Sequence, residues 1–351
     1  MTRARLTIDL DAIGANWRLL RDMAAPAEVG AVVKADAYAL GAEPVARRLW
    51  AEGCRTFFVA RLDEGVALRR VLPDAAIWIL DGCALDDPRA FLEASLVPVL
   101  NTAEDAVAWR EGGGGRPAVA HVCTGLTRLG LPVAELPALD GLNLIGLMSH
   151  LACADETEHD LNTVQLVRFR ELRERLRGVP ASFVASAGML LGPDYHFDLC
   201  RPGYALYGGN PTPHRPNPMG PVVRLEAPIV QLRTIDAAGT VGYGAAHATV
   251  PGMRIATVPV GYADGFPRAA ALRATARIGD HEVPLAGRVS MDLITLDVTG
   301  VPDDAVRRGT MVDLLGEGGI DGLAAAAGTI GYEILTGLGR RFERVYQGSA
   351  A

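Results

Sequence analysis

The sequence predicts an α/β fold in which an N-terminal (β/α)8 barrel is followed by a C-terminal, mainly β domain. Through the first two thirds of the 351 residues, short apolar runs recur, and each is followed by a stretch with helical spacing. From about residue 222 the chain changes to short β-branched runs separated by glycine and proline. Between these regions, residues 210–221 contain five prolines and can continue neither a helix nor a central strand. We therefore expect a barrel over residues 1–221 and a β domain over residues 222–351.

The barrel prediction depends on the number and spacing of the apolar runs. Eight candidate strands occupy residues 29–34, 55–60, 76–80, 97–100, 117–123, 143–150, 181–186 and 204–207. Helical stretches lie between them, including residues 42–53, 62–71 and 158–178. Such repeats build right-handed parallel crossovers. Eight repeats of roughly 28 residues each have a total length close to the ~250 residues of an eight-stranded α/β barrel. A doubly wound open sheet is the rival fold, but its G-x-G-x-x-G fingerprint after the first strand is missing.

The β domain is predicted from a change in local pattern. Four β-branched runs stand at residues 229–235, 254–259, 276–278 and 293–298. One helical stretch, residues 322–338, interrupts them. Because glycine and proline separate the runs, we expect turns between short strands.

Composition excludes several classes of function. The 34 basic and 41 acidic residues give a net charge of −7, and no basic cluster marks a nucleic-acid surface. The five cysteines are odd in number and contain no C-x-x-C, so neither a disulfide framework nor a zinc site is expected. No apolar stretch approaches the ~18 residues of a membrane span, and no signal core opens the chain. We expect a cytoplasmic protein that binds neither metal, membrane nor nucleic acid.

One lysine stands at an unusual place. Lys34 ends the first predicted strand and is followed by small residues, and catalytic groups of α/β barrels lie at the C-terminal ends of strands. Burial lowers the pKa of a lysine, which Schiff-base chemistry requires. From this stretch alone, a strand-end lysine that extends its charge into solvent is an equally good interpretation.

Six further stretches of the chain, together with its end, connect Lys34 to a known family. The sequence resembles bacterial alanine racemases in the lysine motif Val32-Val-Lys34-Ala-Asp36-Ala-Tyr38 and in motifs that follow in the family's order. These are Thr124-Gly-Leu-Thr-Arg128-Leu-Gly130, Ser149-His150-Leu-Ala, Arg201-Pro-Gly-Tyr-Ala-Leu-Tyr207-Gly, Gly242-Tyr243-Gly, Gly261-Tyr-Ala-Asp-Gly-Phe-Pro-Arg268, Gly287-Arg-Val-Ser-Met291-Asp292 and Arg344-Val-Tyr346. The resemblance implies a barrel followed by a β domain, pyridoxal 5'-phosphate as cofactor, and interconversion of L- and D-alanine that supplies D-alanine for peptidoglycan.

The resemblance also implies the catalytic residues. Racemisation removes the α-proton from one face and returns it to the other, so two bases must flank a planar carbanion. Lys34 is implied to hold the cofactor and to be the base that exchanges the α-proton on the D-alanine face, while Tyr243 is the base on the L-alanine face. Because a tyrosine ionises only near pH ~10, Tyr243 needs a relay, which His150 and Arg201 are implied to provide.

Cofactor and substrate contacts are implied in the same way. Arg201 is the expected partner of the pyridine nitrogen, to which an arginine can only donate. The expected cofactor contacts are Lys34, Tyr38, Ser186, Arg201, Gly203, Tyr204 and Tyr346. Arg128 and Met291 are expected at the substrate carboxylate and Tyr262 at the substrate entrance. In the family the partner's β domain completes each barrel mouth, which implies a homodimer with shared sites.

The chain departs from the family's pattern near Arg128. A lysine that can be carbamylated is usual where this chain has His121, an aspartate is usual at Cys123, a methionine at Leu126, and an asparagine at Ala185. Histidine forms no stable carbamate, so Arg128 needs another anion or another orientation. These changes put substrate affinity and rate in doubt more than reaction type.

Three alternative functions remain open. A barrel-fold decarboxylase of basic amino acids needs a carboxylate at the pyridine nitrogen and a glycine-rich phosphate loop, and Arg201 with Gly203 argues against both. A pyridoxal-phosphate-binding regulatory protein with impaired catalysis would have no use for a second base such as Tyr243. A related amino-acid racemase of broader specificity shares every feature named above.

Overall fold

The structure, a computed structural model, describes residues 4–348, and its contacts divide them into two units. One unit holds residues 10–220, and the other holds residues 221–348 together with strand β1 (Arg5–Asp9). The expected domain division placed β1 with the barrel instead. β1 groups with the second unit because it pairs with two of that unit's strands, and its partner Glu226 lies 221 residues after Arg5. Local sequence pattern cannot reveal a pairing over that separation.

The first unit is the predicted (β/α)8 barrel. Seven parallel strands pair in chain order from β3 to β9, and β10 pairs in parallel with β2. A bridge between Ala185 and Arg201 joins the extensions of β9 and β10, and the Arg201 N–H donates to the Val184 carbonyl at 2.9 Å. The sheet thus closes on itself. The strands are β2 (Glu28–Val29), β3 (Ala31–Val32), β4 (Thr56–Val59), β5 (Ala76–Ile79), β6 (Val97–Leu100), β7 (Ala118–His121), β8 (Leu144–Met148), β9 (Ala181–Ser182) and β10 (Leu199–Cys200).

Helices follow the barrel strands as the apolar spacing predicts. Thr102 begins one of them with a capping box, in which its hydroxyl accepts from the Asp105 N–H and the Asp105 side chain returns to the Thr102 backbone. The α-helices of this unit are Leu10–Ala24, Ala42–Glu52, Leu62–Val71, Pro88–Glu93, Ala103–Gly112, Asp160–Arg175 and Ser186–Met189, with 3-10 helices at Val133–Leu139, Pro193–Tyr195 and Tyr204–Tyr207. Lys34–Ala39 forms a helical turn of its own, described with the site.

One predicted barrel strand is wrong. Residues 204–207 form a 3-10 helix, and the eighth strand is the two-residue β10 just before them. A short apolar run is compatible with a buried strand or a buried helical turn, and here all four side chains are buried. The hydroxyl of Ser186 decides the conformation by accepting from the backbone N–H groups of Gly203 and Ala205.

The second unit is mainly β, as predicted. Its six-stranded sheet has the order β17-β16-β19-β11-β1-β20, beside a three-stranded sheet β12-β15-β18 and the hairpin β13-β14. Its strands after β1 are β11 (Val223–Pro228), β12 (Gln231–Thr234), β13 (Gly239–Val241), β14 (His247–Thr249), β15 (Arg254–Val258), β16 (Thr275–Ile278), β17 (His281–Pro284), β18 (Ile294–Asp297), β19 (Met311–Asp313) and β20 (Glu343–Gln347). Short 3-10 turns lie at Tyr243–Ala245, Tyr262–Asp264 and Arg268–Ala270.

The helical stretch predicted over residues 322–338 is two helices, Gly319–Ala327 and Gly331–Gly337. Gly328 separates them with φ 71°, the left-handed conformation that ends many helices. Its N–H donates to the Ala325 carbonyl at 3.1 Å. The apolar period continues across the break, so the pattern alone does not show it.

Within residues 4–348, no helix is both long enough and apolar enough to cross a membrane. The five cysteines, all of them in this part of the chain, are free thiols. The same residues contain no group of three or more histidine, cysteine, aspartate or glutamate side chains placed to hold a metal ion.

Candidate active site

The C-terminal ends of the barrel strands bring together most of the residues that the sequence analysis singled out. Lys34 stands two residues after β3, His150 two residues after β8, and Arg201 directly after β10. Ser186 begins the short helix that follows β9. Parallel strands of a barrel all end at the same face, so these side chains share one mouth.

Lys34 lies at the start of a left-handed turn. Ala35, Asp36, Ala37 and Tyr38 all have positive φ, between 51° and 58°. The lysine is partly buried, and its pKa is lowered, first by burial and then by the charge of Arg128. Asp81 and Glu64 act in the opposite direction and raise the pKa. A lowered pKa increases the fraction of free amine at neutral pH, which favours the Schiff-base interpretation of Lys34 over a solvent-extended side chain.

Arg201 is a buried cation that is held without a carboxylate. Its side chain donates to the Ser182 hydroxyl and to the Ser149 carbonyl, both at 2.7 Å, and Nη2 lies 3.5 Å from Nδ1 of His150. Only 3% of the residue is exposed, and it forms no ion pair with any residue between 4 and 348. Burial lowers the pKa of Arg201 to about 10, so the guanidinium keeps its charge at neutral pH.

His150 is neutral beside that cation. Burial, followed by the charges of Arg201 and Arg128, lowers the pKa of His150 to about 3. Nδ1 faces a group that can only donate, so Nδ1 accepts and the ring proton lies on Nε2. His150 is therefore a hydrogen-bond donor through Nε2, and the only positive charge of the pair is on Arg201.

His121 ends β7 in a fixed orientation. Its Nδ1 lies 2.6 Å from Oδ1 of Asn101. The amide nitrogen of Asn101 donates to the Leu80 and Val99 carbonyls, so the amide oxygen accepts from the histidine. Burial, helped by the charges of Arg201 and Arg128, lowers the pKa of His121 to about 3. This chain thus has a neutral imidazole where the family usually has a lysine.

Ser186 and Gly203 form a cradle at the ends of β9 and β10. The Ser186 hydroxyl oxygen accepts from the N–H groups of Gly203 at 3.0 Å and Ala205 at 3.2 Å, which leaves its proton available to another acceptor. A Cβ on residue 203 would lie 2.5 Å from the hydroxyl oxygen of Tyr38, so only glycine fits there. Tyr38 and Tyr204 are both buried beside this cradle, and hydroxyl and backbone donors of this kind suit a phosphate group.

Arg128 lies on an exposed loop whose base is closed next to His121. The Leu131 N–H donates to the His121 carbonyl at 2.8 Å, and the Cys123 N–H donates to the Leu131 carbonyl at 3.0 Å. Cys123 stands where the family pattern has an aspartate, and its sulfur accepts from the Thr127 N–H at 3.3 Å. The charge of Arg128 lowers the pKa of Lys34, His121 and His150 alike, so the guanidinium lies within electrostatic reach of all three.

In the second unit, the expected site residues are exposed, and two of them are neighbours. Tyr243 is 73% exposed, and the next residue, Gly244, packs near the guanidinium of Arg288. Met291 and Tyr262 are neighbours, because the Ala263 N–H donates to the Met291 carbonyl at 3.0 Å. Tyr346 is exposed on β20, where it is the register partner of Ile8 on β1.

Several residues at the barrel mouth were missed by the sequence analysis. Ser149 and Ser182 hold Arg201, and Asn101 orients His121. Asn101 directly follows β6 and Asp81 lies two residues after β5, so position relative to a strand end was an available signal. Glu64 lies inside the first turn of a helix and carries no such signal.

Comparison with known proteins decides the family. The alanine racemase N-terminal domain model matches residues 8–211, and the C-terminal domain model matches residues 222–346. The chain belongs to the alanine racemase family. An alanine racemase of Methylobacterium nodulans is 48% identical over 355 residues, covering 98% of this chain and 96% of the relative. One of Rhodospirillum rubrum is 47% identical over 359 residues, with the same coverage.

A solved structure of an alanine racemase has a similar fold over nearly the whole length of this chain. The crystal structure of the Bartonella henselae enzyme, described with covalently bound pyridoxal phosphate, has a TM-score of 0.93 and 37% identity. It matches 99% of this chain and 100% of its own. The family resemblance expected from the sequence motifs is confirmed, and the protein is an alanine racemase, an isomerase acting on amino acids.

Proposed function

We propose that this racemase interconverts L- and D-alanine with pyridoxal 5'-phosphate and two bases, Lys34 and Tyr243, and supplies D-alanine for peptidoglycan. The observation that carries the proposal is the barrel mouth, where a lysine of lowered pKa shares one face with a buried arginine that has no carboxylate partner. The Ser186–Gly203 cradle and the Tyr38 hydroxyl fit the cofactor's phosphate, and Lys34 fits its aldehyde.

When bound, pyridoxal phosphate supplies an aldehyde that joins amines and a ring that withdraws electrons from the substrate α-carbon. Arg201 would hold the pyridine nitrogen and could only donate to it, because the guanidinium remains charged at neutral pH. A donor of this kind would leave the nitrogen largely unprotonated and so limit electron withdrawal by the ring. Arg201 would thereby favour return of the proton over side reactions such as transamination.

The two bases act from opposite sides of the α-carbon. Burial and Arg128 lower the pKa of Lys34, so its free amine can accept the α-proton on the D-alanine face. On the L-alanine face, the Tyr243 oxygen takes or returns the proton. His150 donates through Nε2 to that oxygen, and the charge of Arg201 behind His150 stabilises the phenolate. Arg128 binds the substrate carboxylate with Met291 beside it, and Tyr262 lines the entrance.

The proposal includes a homodimer with shared sites. Tyr243, Tyr262 and Met291 are 73%, 44% and 54% exposed in a single chain, which suits residues that a second copy covers. We place Tyr243 of the partner subunit at the barrel mouth that carries Lys34. A chain unable to dimerise would then bind the cofactor and still lack the second base.

Incubation of the purified holoenzyme with L-alanine in deuterated water tests the reaction. Loss of optical rotation together with one α-deuterium per racemised molecule is the expected result. Release of carbon dioxide would instead indicate a decarboxylase, and no exchange would indicate a cofactor-binding protein without catalysis. Equal rates with serine or larger amino acids would identify a racemase of broader specificity.

The Lys34→Ala variant tests the attachment residue. It should lose the absorbance of covalently held pyridoxal phosphate and its trapping by borohydride. If the variant still yields a borohydride-reducible adduct at the same stoichiometry, an amine other than that of Lys34 holds the cofactor, and the assignment of Lys34 is wrong.

A further inference from the structure

The turn that follows Lys34 requires support from outside itself. Five consecutive non-glycine residues, Ala35 to Ala39, have φ between 51° and 65°. L-residues are destabilised in this left-handed conformation because Cβ approaches the next carbonyl oxygen, and runs of them are rare. The direction of the Lys34 side chain depends on this turn, since the turn begins at the peptide after the lysine.

Glu64 closes the start of the turn. One carboxylate oxygen, Oε1, accepts from the Ala35 N–H at 2.6 Å. The other, Oε2, accepts from the N–H groups of Ala60 at 2.8 Å and Arg61 at 3.2 Å, at the beginning of the helix Leu62–Val71. A single charged side chain therefore ties the end of β4 to the peptide that follows Lys34. Hydrogen bonds to a carboxylate belong to the strong class.

The far end of the turn is closed by a different residue. Oδ1 of Asp36 accepts from the Ala42 N–H at 2.7 Å, and the Gly41 N–H donates to the Asp36 carbonyl at 2.9 Å. These bonds fix residues 36–42 and do not reach Ala35. Within residues 4–348, Glu64 supplies the hydrogen bond that the Ala35 N–H makes.

We propose that Glu64 is a positioning residue for Lys34: its carboxylate holds the left-handed turn in place and sets a negative charge near the lysine amine. The proposal rests on the proposed function in taking Lys34 as the attachment residue. Four charged or titratable groups act electrostatically with Lys34 from the surrounding elements: Arg128, Asp81, Glu64 and His150. Among them, Glu64 is the one whose carboxylate also bonds the backbone next to Lys34.

The test compares Glu64→Gln with the wild-type chain and with Asp63→Asn, an exposed carboxylate on the same helix turn. A glutamine has one acceptor oxygen and one donor group, so it cannot serve the Ala35 and Ala60 N–H groups together. Amide exchange in peptides covering residues 34–40, measured without pyridoxal phosphate, should become about tenfold or more faster in Glu64→Gln. Asp63→Asn and peptides covering residues 144–148 should exchange as in the wild type, which also reports that the barrel is folded.

A second readout separates positioning from a structural role. Trapping of pyridoxal phosphate on Lys34 by borohydride is followed against pH, and it requires the free amine. Removal of the Glu64 charge removes an effect that raises the Lys34 pKa, so the midpoint of trapping should move to lower pH. Unchanged exchange at residues 34–40, or an unmoved midpoint, would overturn the proposal. Absence of trapping at Lys34 in the wild type would instead contradict the proposed function, because the exchange result does not involve the cofactor.

Discussion

The buried histidines make stability depend on pH in a calculable way. His121 is 6% exposed, and its pKa in the folded chain is about 3, compared with 6.5 for an ordinary histidine. Below pH 6.5 the unfolded chain therefore binds a proton that the folded chain does not. The contribution of His121 to the free energy of unfolding is therefore fully present above pH 6.5, and it is lost progressively as the pH drops toward 3. At about 1.36 kcal/mol per pH unit, lowering the pH from 7 to 5 removes about 2 kcal/mol through this one residue.

The assay is urea unfolding of the cofactor-free protein at pH 7 and pH 5, for the wild type and for His121→Gln. The variant should lose about 2 kcal/mol less than the wild type between the two pH values. Its stability at pH 7 also falls, because the bond to Asn101 is altered, and the comparison of two pH values removes that constant difference. His281→Gln, at an exposed histidine of β17, should show the wild-type dependence. Equal losses in His121→Gln and the wild type would refute the electrostatic reasoning.

Two further substitutions test the support of the barrel mouth. Asp105→Ala removes the acceptor of the Cys83, Ala84 and Asn101 N–H groups, which lie 2.8–2.9 Å from its buried carboxylate, and should lower the free energy of unfolding by about 3 kcal/mol or more. A loss below about 1 kcal/mol in urea unfolding would show that these donors find other acceptors. Gly203→Ala places a Cβ 2.5 Å from the Tyr38 hydroxyl oxygen and should weaken pyridoxal phosphate binding at least about tenfold by absorbance titration, while the chain remains folded. Unchanged affinity would remove Tyr38 and Gly203 from the phosphate site.

The sequence predicted the barrel and the β unit because their signals are local. A strand-end lysine, a strand-end histidine and the Arg201 motif are all visible as short patterns, and the structure places them at one mouth. The pairing of β1 with β11 and β20 was not predictable, since it joins segments more than two hundred residues apart. The 3-10 helix at residues 204–207 was missed because a hydroxyl distant in sequence, that of Ser186, selects it over a strand.

The electrostatics of the site were also only partly visible in the sequence. Family resemblance suggested that His150 and Arg201 form a relay, and the structure adds that His150 is neutral and carries its ring proton on Nε2. From the sequence, the histidine at position 121 implied only that Arg128 needs another anion or another orientation. In the structure the Asn101 amide, fixed by two backbone carbonyls, orients the His121 ring, so that Nδ1 donates to Asn101 and Nε2 holds the lone pair. Such networks depend on three-dimensional neighbours that no motif spacing encodes.

The central claim is that Lys34 and Tyr243 act as bases on opposite faces of the substrate, and the Tyr243→Phe variant tests it most directly. The variant is loaded with pyridoxal phosphate and incubated in deuterated water with each alanine enantiomer in turn. Because Lys34 still serves the D-alanine face, D-alanine should exchange its α-proton for deuterium while L-alanine does not, and racemisation should fall at least about a hundredfold. Racemisation near the wild-type rate, or equal deuterium uptake from both enantiomers, would contradict the assignment of Tyr243 as the second base.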